Sequence, residues 1–144
     1  MTISGLSVTN FNLEAPAESK IVASTTEQLS VEQYVNQYFS DVPILKEVAK
    51  CESQFRQIDT NGHTLRGSVN SFDRGVMQIN ELYHLDRAES LGYDLNELSG
   101  NVAYARHLFE REGLQPWSSS APCWKKTQAY EDYVNRKSES LALK

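Results

Sequence analysis

The 144-residue sequence contains no apolar run of the roughly eighteen residues that a transmembrane helix requires, so no membrane span is predicted. Positive charge is also scarce, because 14 Lys and Arg stand against 19 Asp and Glu, which gives a net charge of −5. A chain of this kind is not expected to capture nucleic acid or an anionic lipid surface by bulk charge. Residues 1–16 lack a basic n-region and an apolar h-region, so we predict no export signal in the sequence as it stands.

Motifs for metal ions and cofactors are missing as well. His63, His84 and His107 lie far apart, and none has a second histidine or a cysteine three or four residues further on. Cys51 and Cys123 form no Cys-x-x-Cys pair, and no glycine-rich phosphate loop occurs. We therefore expect no metal and no cofactor. The two cysteines are either one disulfide or two buried thiols, and composition leaves both open.

Composition and hydrophobic spacing divide the chain near residue 30. Residues 1–29 are rich in Thr, Ser, Asn, Ala and Glu with scattered hydrophobic residues, which is typical of a flexible arm or linker. Residues 30–144 are long enough for one domain with its own core. We therefore predict an N-terminal arm over 1–29 and a single domain over 30–144.

Helical spacing dominates this domain. Ser30 and Gln33 stand at capping-box spacing before a first helix, and Pro43 marks the start of a second helix that we predict to continue through Phe55. Further helical patterns cover 82–91, a stretch that begins near Ser99 and stops at Gly113, and 128–143, with a loop predicted over 116–124. Residues 58–74 are polar and contain Asn-Gly, which favours a small β-hairpin. The predicted class is mostly α (α+β), without the βαβ alternation of nucleotide-binding folds.

Glu52 is the most informative residue of the second helix. At helical spacing it falls inside the apolar stripe, beside Leu45 and Val48, whereas Glu47 and Lys50 lie on the opposite arc. A carboxyl group that faces a core usually responds by raising its pKa, and a carboxyl that stays protonated near neutral pH can protonate a leaving oxygen. The alternative is that Glu52 lies at the edge of the stripe and reaches water with its two methylenes.

A second carboxylate follows in the segment 71–80, at the end of the polar ribbon. Asp73 lies where its carboxylate could approach that of Glu52. Two carboxylates in unlike environments are the groups that glycosidic cleavage uses. Gly75 permits a close approach of backbone or ligand, while Gln78 and Asn80 supply amides of the kind that bind sugar hydroxyls and N-acetyl groups. A plain turn role for Asp73 is the alternative.

Two motifs now resemble a known family. The segments Cys-Glu-Ser-x-Phe at 51–55 and Asp-x-Gly-Val-Met-Gln-Ile-Asn at 73–80 are similar to the lysozyme-like superfamily, above all to bacterial lytic transglycosylases of the soluble (SLT) type. A third block supports the likeness, with Asn-Val-Ala-Tyr-Ala at 101–105 and a Pro-Trp … Cys-Trp segment over 116–124. The resemblance covers roughly residues 31–125 and implies a lysozyme-like domain with a small β-hairpin beside the catalytic helix.

The resemblance also implies roles for individual residues. Glu52 matches the general acid that protonates the oxygen between N-acetylmuramic acid and N-acetylglucosamine in peptidoglycan. Ser53 matches the serine that orients the glutamate or the substrate. Met77, Gln78 and Asn80 match residues that line the sugar groove. The implied enzyme is a lytic transglycosylase or a lysozyme (muramidase), and its implied partners are peptidoglycan glycan strands.

The type of reaction stays open. Asp73 aligns with the second catalytic carboxylate of c-type lysozymes, but SLT-type transglycosylases have no such catalytic residue and form a 1,6-anhydro product instead. The usual Ala-Tyr-Asn-x-Gly motif of those enzymes is absent, and Trp-Ser-Ser-Ser at 117–120 stands roughly in its place. Tyr104 and Trp117 are candidates for stacking on sugar rings, although such aromatic side chains more often belong to the core.

The likeness favours a disulfide between Cys51 and Cys123. Such a bridge would pin the Pro-Trp-Ser segment beside the groove and would constrain the unfolded chain by about 4 kcal/mol in the entropy model. Disulfides persist outside the cytosol, where peptidoglycan also lies, so the resemblance implies an extracytoplasmic protein. We expect a monomer. The alternative function is a catalytically silent lysozyme-like module that binds saccharide or serves as an interaction surface.

Overall fold

The computed structural model describes residues 28–144, and the predicted arm therefore lies almost wholly outside the described residues. The described chain is mostly helical with one two-stranded antiparallel sheet, which confirms the predicted class. Its elements are α1 (Val31–Tyr38), α2 (Pro43–Ser53), β1 (Asp73–Arg74), β2 (Ile79–Asn80), α3 (Glu81–Ser90), α4 (Leu98–Glu112), a 3₁₀ helix (Gln115–Ser120), α5 (Ala121–Trp124) and α6 (Gln128–Ala142).

Local sequence signals set several helix ends. Ser30 caps α1 through the predicted capping box, since its side chain accepts from the Gln33 amide and the Gln33 side chain accepts from the Ser30 amide. Pro43 occupies the first turn of α2. This helix ends at Ser53, two residues before the predicted end, because Gln54 and Phe55 take left-handed φ values of 54° and 58°. Glu52 thus lies in the last turn of α2.

Helix α2 is the centre of the domain. It contacts α1, the 3₁₀ helix, α5 and α6. Its apolar face is fully buried at Ile44, Leu45 and Val48, as the helical spacing predicts. Val102, Ala105 and Leu108 of α4 are buried in the same core. Because α2 is packed on several sides, the orientation of its last turn is fixed by the tertiary structure.

The β-hairpin is placed differently from the prediction. Asp73 pairs with Asn80 and Arg74 with Ile79, so the turn lies over 75–78 and the second strand follows Gly75. Within 58–72 the structure has only isolated bridges and turns. The predicted position of the hairpin was wrong because the turn depends on two left-handed residues, Gly75 (φ 69°) and Gln78 (φ 48°), and only the glycine indicates such a turn in the sequence.

Two further predictions need correction. The segment 116–124, predicted as a loop, forms the 3₁₀ helix and α5, because its two prolines fall in first helical turns where no amide donor is needed. On α3 the predicted apolar face includes Leu82, which is 61% exposed. Only Ala88 of that helix is fully buried. The face of α3 is therefore set by the hairpin against which it packs, not by its own periodicity.

Two buried amides hold the hairpin turn. Gln57 Oε1 accepts from the Val76 amide at 2.9 Å, and Asn101 Oδ1 accepts from the Met77 amide at 2.9 Å. Asn101 Nδ2 donates to the carbonyl of Arg74 at 3.0 Å. A Cβ at Gly75 would lie 2.5 Å from Asn101 Nδ2 and 2.6 Å from Gln57 Oε1, so the glycine is needed for this close approach. Asp73 precedes this turn and Gln78 is its last residue, so the turn fixes the positions of both.

Within residues 28–144, no helix combines the length and the apolar character that crossing a membrane would require.

Candidate functional site

A cleft runs past the end of α2 and the hairpin. It consists of two adjoining cavities, of about 290 and 540 Å³, that share Glu52, Asn70, Asp73, Gln78 and Ser119. From these shared residues one cavity extends towards α3 and the 3₁₀ helix, and the other extends towards the loop 67–69. The two predicted carboxylates therefore lie in the middle of the cleft, with open space on both sides.

Glu52 is half-buried at the wall of this cleft. Burial raises the pKa of its carboxyl above the ordinary value, a hydrogen bond from Ser120 opposes that rise, and the negative charge of Asp73 adds to it. The Ser120 hydroxyl donates to Glu52 Oε1 at 2.6 Å. The position of Glu52 on the inner face of α2, predicted from the helical spacing, is the reason for its desolvation.

Asp73 occupies β1, across the cleft from α2. Asn80 Nδ2 donates to Asp73 Oδ1 at 2.9 Å, from the residue directly opposite in the hairpin. Partial burial raises the pKa of the Asp73 carboxyl, and the hydrogen bond from Asn80 counteracts that effect. The two carboxyl groups thus have different partners: Glu52 has a hydroxyl from the 3₁₀ helix, and Asp73 has an amide from its own hairpin.

Gln78 and Asn80 line the cleft as predicted, but both are partly used in the fold. Gln78 Nε2 donates to the Gly75 carbonyl at 2.8 Å, which braces the turn. Asn80 Oδ1 caps α3 by accepting from the Leu82 amide at 3.1 Å. Each amide keeps further donor or acceptor capacity for a ligand.

Three residues predicted at the sugar groove do not line the cleft. Ser53 is 2% exposed, and its hydroxyl bonds to the carbonyls of Ala49 and Val76, where it joins α2 to the hairpin turn. Met77 is fully buried, and Tyr104 is 1% exposed. These three side chains support the walls from behind. The prediction that Met77 and Tyr104 contact the substrate needs this correction, and of the two roles predicted for Ser53, orienting the glutamate or the substrate, direct contact with the substrate needs it as well.

Trp117 lies at the cleft but presents almost none of its surface there. It is 2% exposed, and its Nε1 donates to the Met77 carbonyl at 2.9 Å. A side chain enclosed to this extent offers no free ring face to a sugar. Trp117 therefore fixes the 3₁₀ helix against the hairpin rather than forming a stacking platform.

Several residues of the cleft were not predicted from the sequence. Tyr83 is 80% exposed and lines one end, where it offers the aromatic face that Trp117 does not. His84, hydrogen-bonded through Nδ1 to the Tyr104 hydroxyl at 3.2 Å, lies beside it. Ser119 and Ser120 line the other side. An aromatic residue soon after the hairpin motif was the available signal for Tyr83, and the signal for the serines was their position in place of the Ala-Tyr-Asn-x-Gly motif.

The predicted disulfide is present between Cys51 and Cys123. Cys51 immediately precedes Glu52, and Cys123 follows Ser120 by three residues. Neither cysteine lines the cleft, so the bridge holds the two segments together from behind the site. It fixes the relative positions of the Glu52 turn and the Ser120 segment.

No group of three or more His, Cys, Asp or Glu side chains in the described part of the chain is arranged to hold a metal ion. The chemical groups that converge on the cleft are a carboxyl with a raised pKa, a second carboxyl that is stabilised by an amide, and neutral hydrogen-bonding side chains. Such a set can transfer a proton and stabilise positive charge.

Comparison of the chain with protein-family models, with curated proteins and with solved structures finds no match in any of the three.

Proposed function

We propose that this protein is a lysozyme-like glycosidase that cleaves the β-1,4 bond between N-acetylmuramic acid and N-acetylglucosamine in peptidoglycan. The observation that carries the proposal is the shared cleft in which Glu52, a carboxyl with a raised pKa, lies across from Asp73. Two carboxyl groups of unlike surroundings around one cleft are the usual equipment of glycosidic cleavage.

Glu52 is the acid of the first step. Its burial favours the protonated form, which gives its proton to the glycosidic oxygen as the bond from that oxygen to C1 of muramic acid breaks. The leaving sugar departs with a neutral hydroxyl. Glu52 is then an ionised carboxylate, and its hydrogen bond from Ser120 stabilises that form.

Asp73 stabilises the positive charge that develops at C1 and the ring oxygen. This role needs the ionised carboxylate: partial burial raises the pKa of Asp73, and the hydrogen bond from Asn80 opposes that rise and favours the ionised form. Glu52 then removes a proton from the group that attacks C1. If that group is water the product has a reducing end, and if it is the 6-hydroxyl of the same muramic acid the product is a 1,6-anhydro sugar.

The shape of the cleft suits a polymeric glycan. Space continues on both sides of the carboxylates, so sugar units fit before and after the scissile bond. Tyr83 at one end offers a ring face, and Gln78 and Asn80 offer amides to hydroxyl and N-acetyl groups. With a net charge of −5 the protein must bind an anionic wall polymer by these local contacts rather than by bulk charge.

Peptidoglycan lies outside the cytosol, and we place the protein there too. A disulfide next to the acid is stable in that environment, and the bridge of Cys51 with Cys123 is consistent with it. We propose that the protein works there as a monomer.

Mass spectrometry of the fragments released from purified peptidoglycan tests the proposal. Soluble muropeptides with reducing N-acetylmuramic acid ends identify a muramidase, and fragments lighter by one water identify a lytic transglycosylase. Binding of the protein to insoluble peptidoglycan without any released fragment would contradict catalysis and identify a saccharide-binding module instead.

A further inference from the structure

The Ser120 hydroxyl belongs to a hydrogen-bond network that limits its rotation and determines which acceptor it donates to. Trp124 Nε1 donates to Ser120 Oγ at 3.0 Å, so one lone pair of the hydroxyl is already engaged. The single proton of the hydroxyl has two acceptors within reach, Glu52 Oε1 at 2.6 Å and the Trp117 carbonyl at 3.1 Å. The shorter contact to a carboxyl oxygen is the stronger one, so the proton points at Glu52.

This arrangement distinguishes the two oxygens of the Glu52 carboxyl. Oε1 accepts from Ser120, whereas Oε2 receives no hydrogen bond from residues 28–144 and is not sealed from solvent. An oxygen that accepts a hydrogen bond is the carbonyl-like oxygen of a protonated carboxyl group, and the hydroxyl proton then belongs to the other oxygen. With Ser120 donating to Oε1, the position left for the acidic proton of the carboxyl group is Oε2.

We infer that Ser120, oriented by Trp124 Nε1, is a positioning residue that fixes the Glu52 carboxyl and directs its acidic proton to Oε2. The use of that proton in glycan cleavage depends on the proposed function, but the hydrogen-bond relationship does not. Ser120 acts through Glu52 and contacts no reacting atom. Its hydroxyl donates to Oε1 in both protonation states, but more strongly in the carboxylate, because a hydrogen bond to an ionised acceptor is the stronger one.

The structure explains why this serine stays in place. Trp124, which holds it, is 3% exposed in the core, and Cys123 beside Trp124 is tied to Cys51 immediately before Glu52. The donor and the acceptor therefore belong to two segments joined by a covalent bond. A serine on an untethered loop would not keep the same geometry.

Titration of the Glu52 carboxyl carbon by NMR tests the inference without any substrate. The resonance is assigned by its loss in Glu52→Gln. In Ser120→Ala we expect a higher Glu52 pKa than in the wild type, because a hydrogen bond that favours the carboxylate is removed. Ser118→Ala is the matched control, since Ser118 is exposed and lines neither cavity, and it must leave the titration unchanged.

Two further variants keep the test decisive if Ser120→Ala does not fold. Ser120→Thr keeps the hydroxyl and must restore the wild-type titration. Trp124→Phe removes the Nε1 donor and must raise the Glu52 pKa in the same direction. A Glu52 titration that is the same in Ser120→Ala as in the wild type, or that Ser118→Ala shifts as much, overturns the inference.

Kinetics with glycan add a second readout. We expect Ser120→Ala to lower kcat about 10- to 100-fold, in the range of a misplaced catalytic group, with little change in KM. The fall of activity at high pH must move to higher pH, because Glu52 stays protonated longer. Absence of released fragments in the wild type would refute the proposed function alone, since the NMR titration decides the role of Ser120 independently.

Discussion

Cys51 is covalently bonded to Cys123, and this bond joins the turn that carries Glu52 to the segment that carries Ser120. The two cysteines are separated by 72 positions in the sequence. The bridge therefore closes a long loop of the unfolded chain. It also keeps the donor and the acceptor of the Ser120–Glu52 hydrogen bond close together. Stability and site geometry are coupled through one bond.

Replacing both cysteines, as Cys51→Ser with Cys123→Ser, should lower the free energy of unfolding by about 2–5 kcal/mol. The bridge restricts the unfolded chain, and its loss restores that freedom. Urea unfolding followed by circular dichroism measures the change. The wild type with and without a reductant provides the comparison, and an equal urea midpoint in the double variant and the oxidised wild type would contradict the prediction.

Glu52→Gln should reduce glycan cleavage by about 10²- to 10⁴-fold, because the amide cannot donate the acidic proton. Release of soluble fragments from peptidoglycan measures it. Glu47→Gln is the matched control, since Glu47 lies on the same helix but lines neither cavity of the cleft. Undiminished cleavage by a folded Glu52→Gln protein would refute the role of this residue.

The same substitution should change stability with pH in a defined direction. Burial raises the pKa of Glu52 in the folded state, so the folded protein binds more protons than the unfolded chain and loses stability as pH rises through that folded pKa. Glu52→Gln removes this loss. We expect the variant to be more stable than the wild type at neutral pH, with the gain vanishing below the ordinary glutamate pKa. Urea midpoints of the variant and the wild type, measured at neutral pH and below the ordinary glutamate pKa, check this. A gain in stability that is the same at both pH values would contradict it.

Asp73→Asn should decide whether one or two carboxylates work in the cleft. A large loss of kcat indicates that Asp73 stabilises the charged transition state, whereas a small loss indicates a single-acid transglycosylase. In either case the fall of activity at high pH should move to lower pH, because the negative charge of Asp73 raises the pKa of Glu52 and the variant lacks it. A shift to higher pH would contradict the electrostatic coupling between the two groups.

Gly75→Ala should destabilise the protein more than Gly62→Ala does. Both glycines have positive φ, at 69° and 81°, so both substitutions have a conformational cost. Only Gly75 has buried side-chain amides within 2.6 Å of the added Cβ, whereas nothing lies within 4 Å at Gly62. We expect an additional loss of about 1–3 kcal/mol at Gly75, measured by urea unfolding. Equal losses of unfolding free energy at the two positions would show that the side chains of Gln57 and Asn101 move away from the added Cβ at no cost.

Local patterns in the sequence account for much of the architecture. The capping box at Ser30, the proline at 43 and the glycine at 113 mark helix ends that the structure confirms within one or two residues. Helical spacing also shows that Glu52 lies on the apolar face of its helix. These features are predictable because a helix repeats over three to four residues, so neighbours along the chain report which face each side chain occupies.

Long-range contacts decided the rest of the site. The bond between Ser120 and Glu52 joins residues 68 positions apart, and Asn101 reaches Met77 across 24. The burial of Met77 and Tyr104, expected at the groove, and the position of the hairpin turn also follow from such packing. Periodicity gives no information about which distant segments meet. The sequence by itself determined which helix presents a carboxyl to the core. Only the tertiary structure decided which side chains surround that carboxyl, because packing of separate elements brings them together.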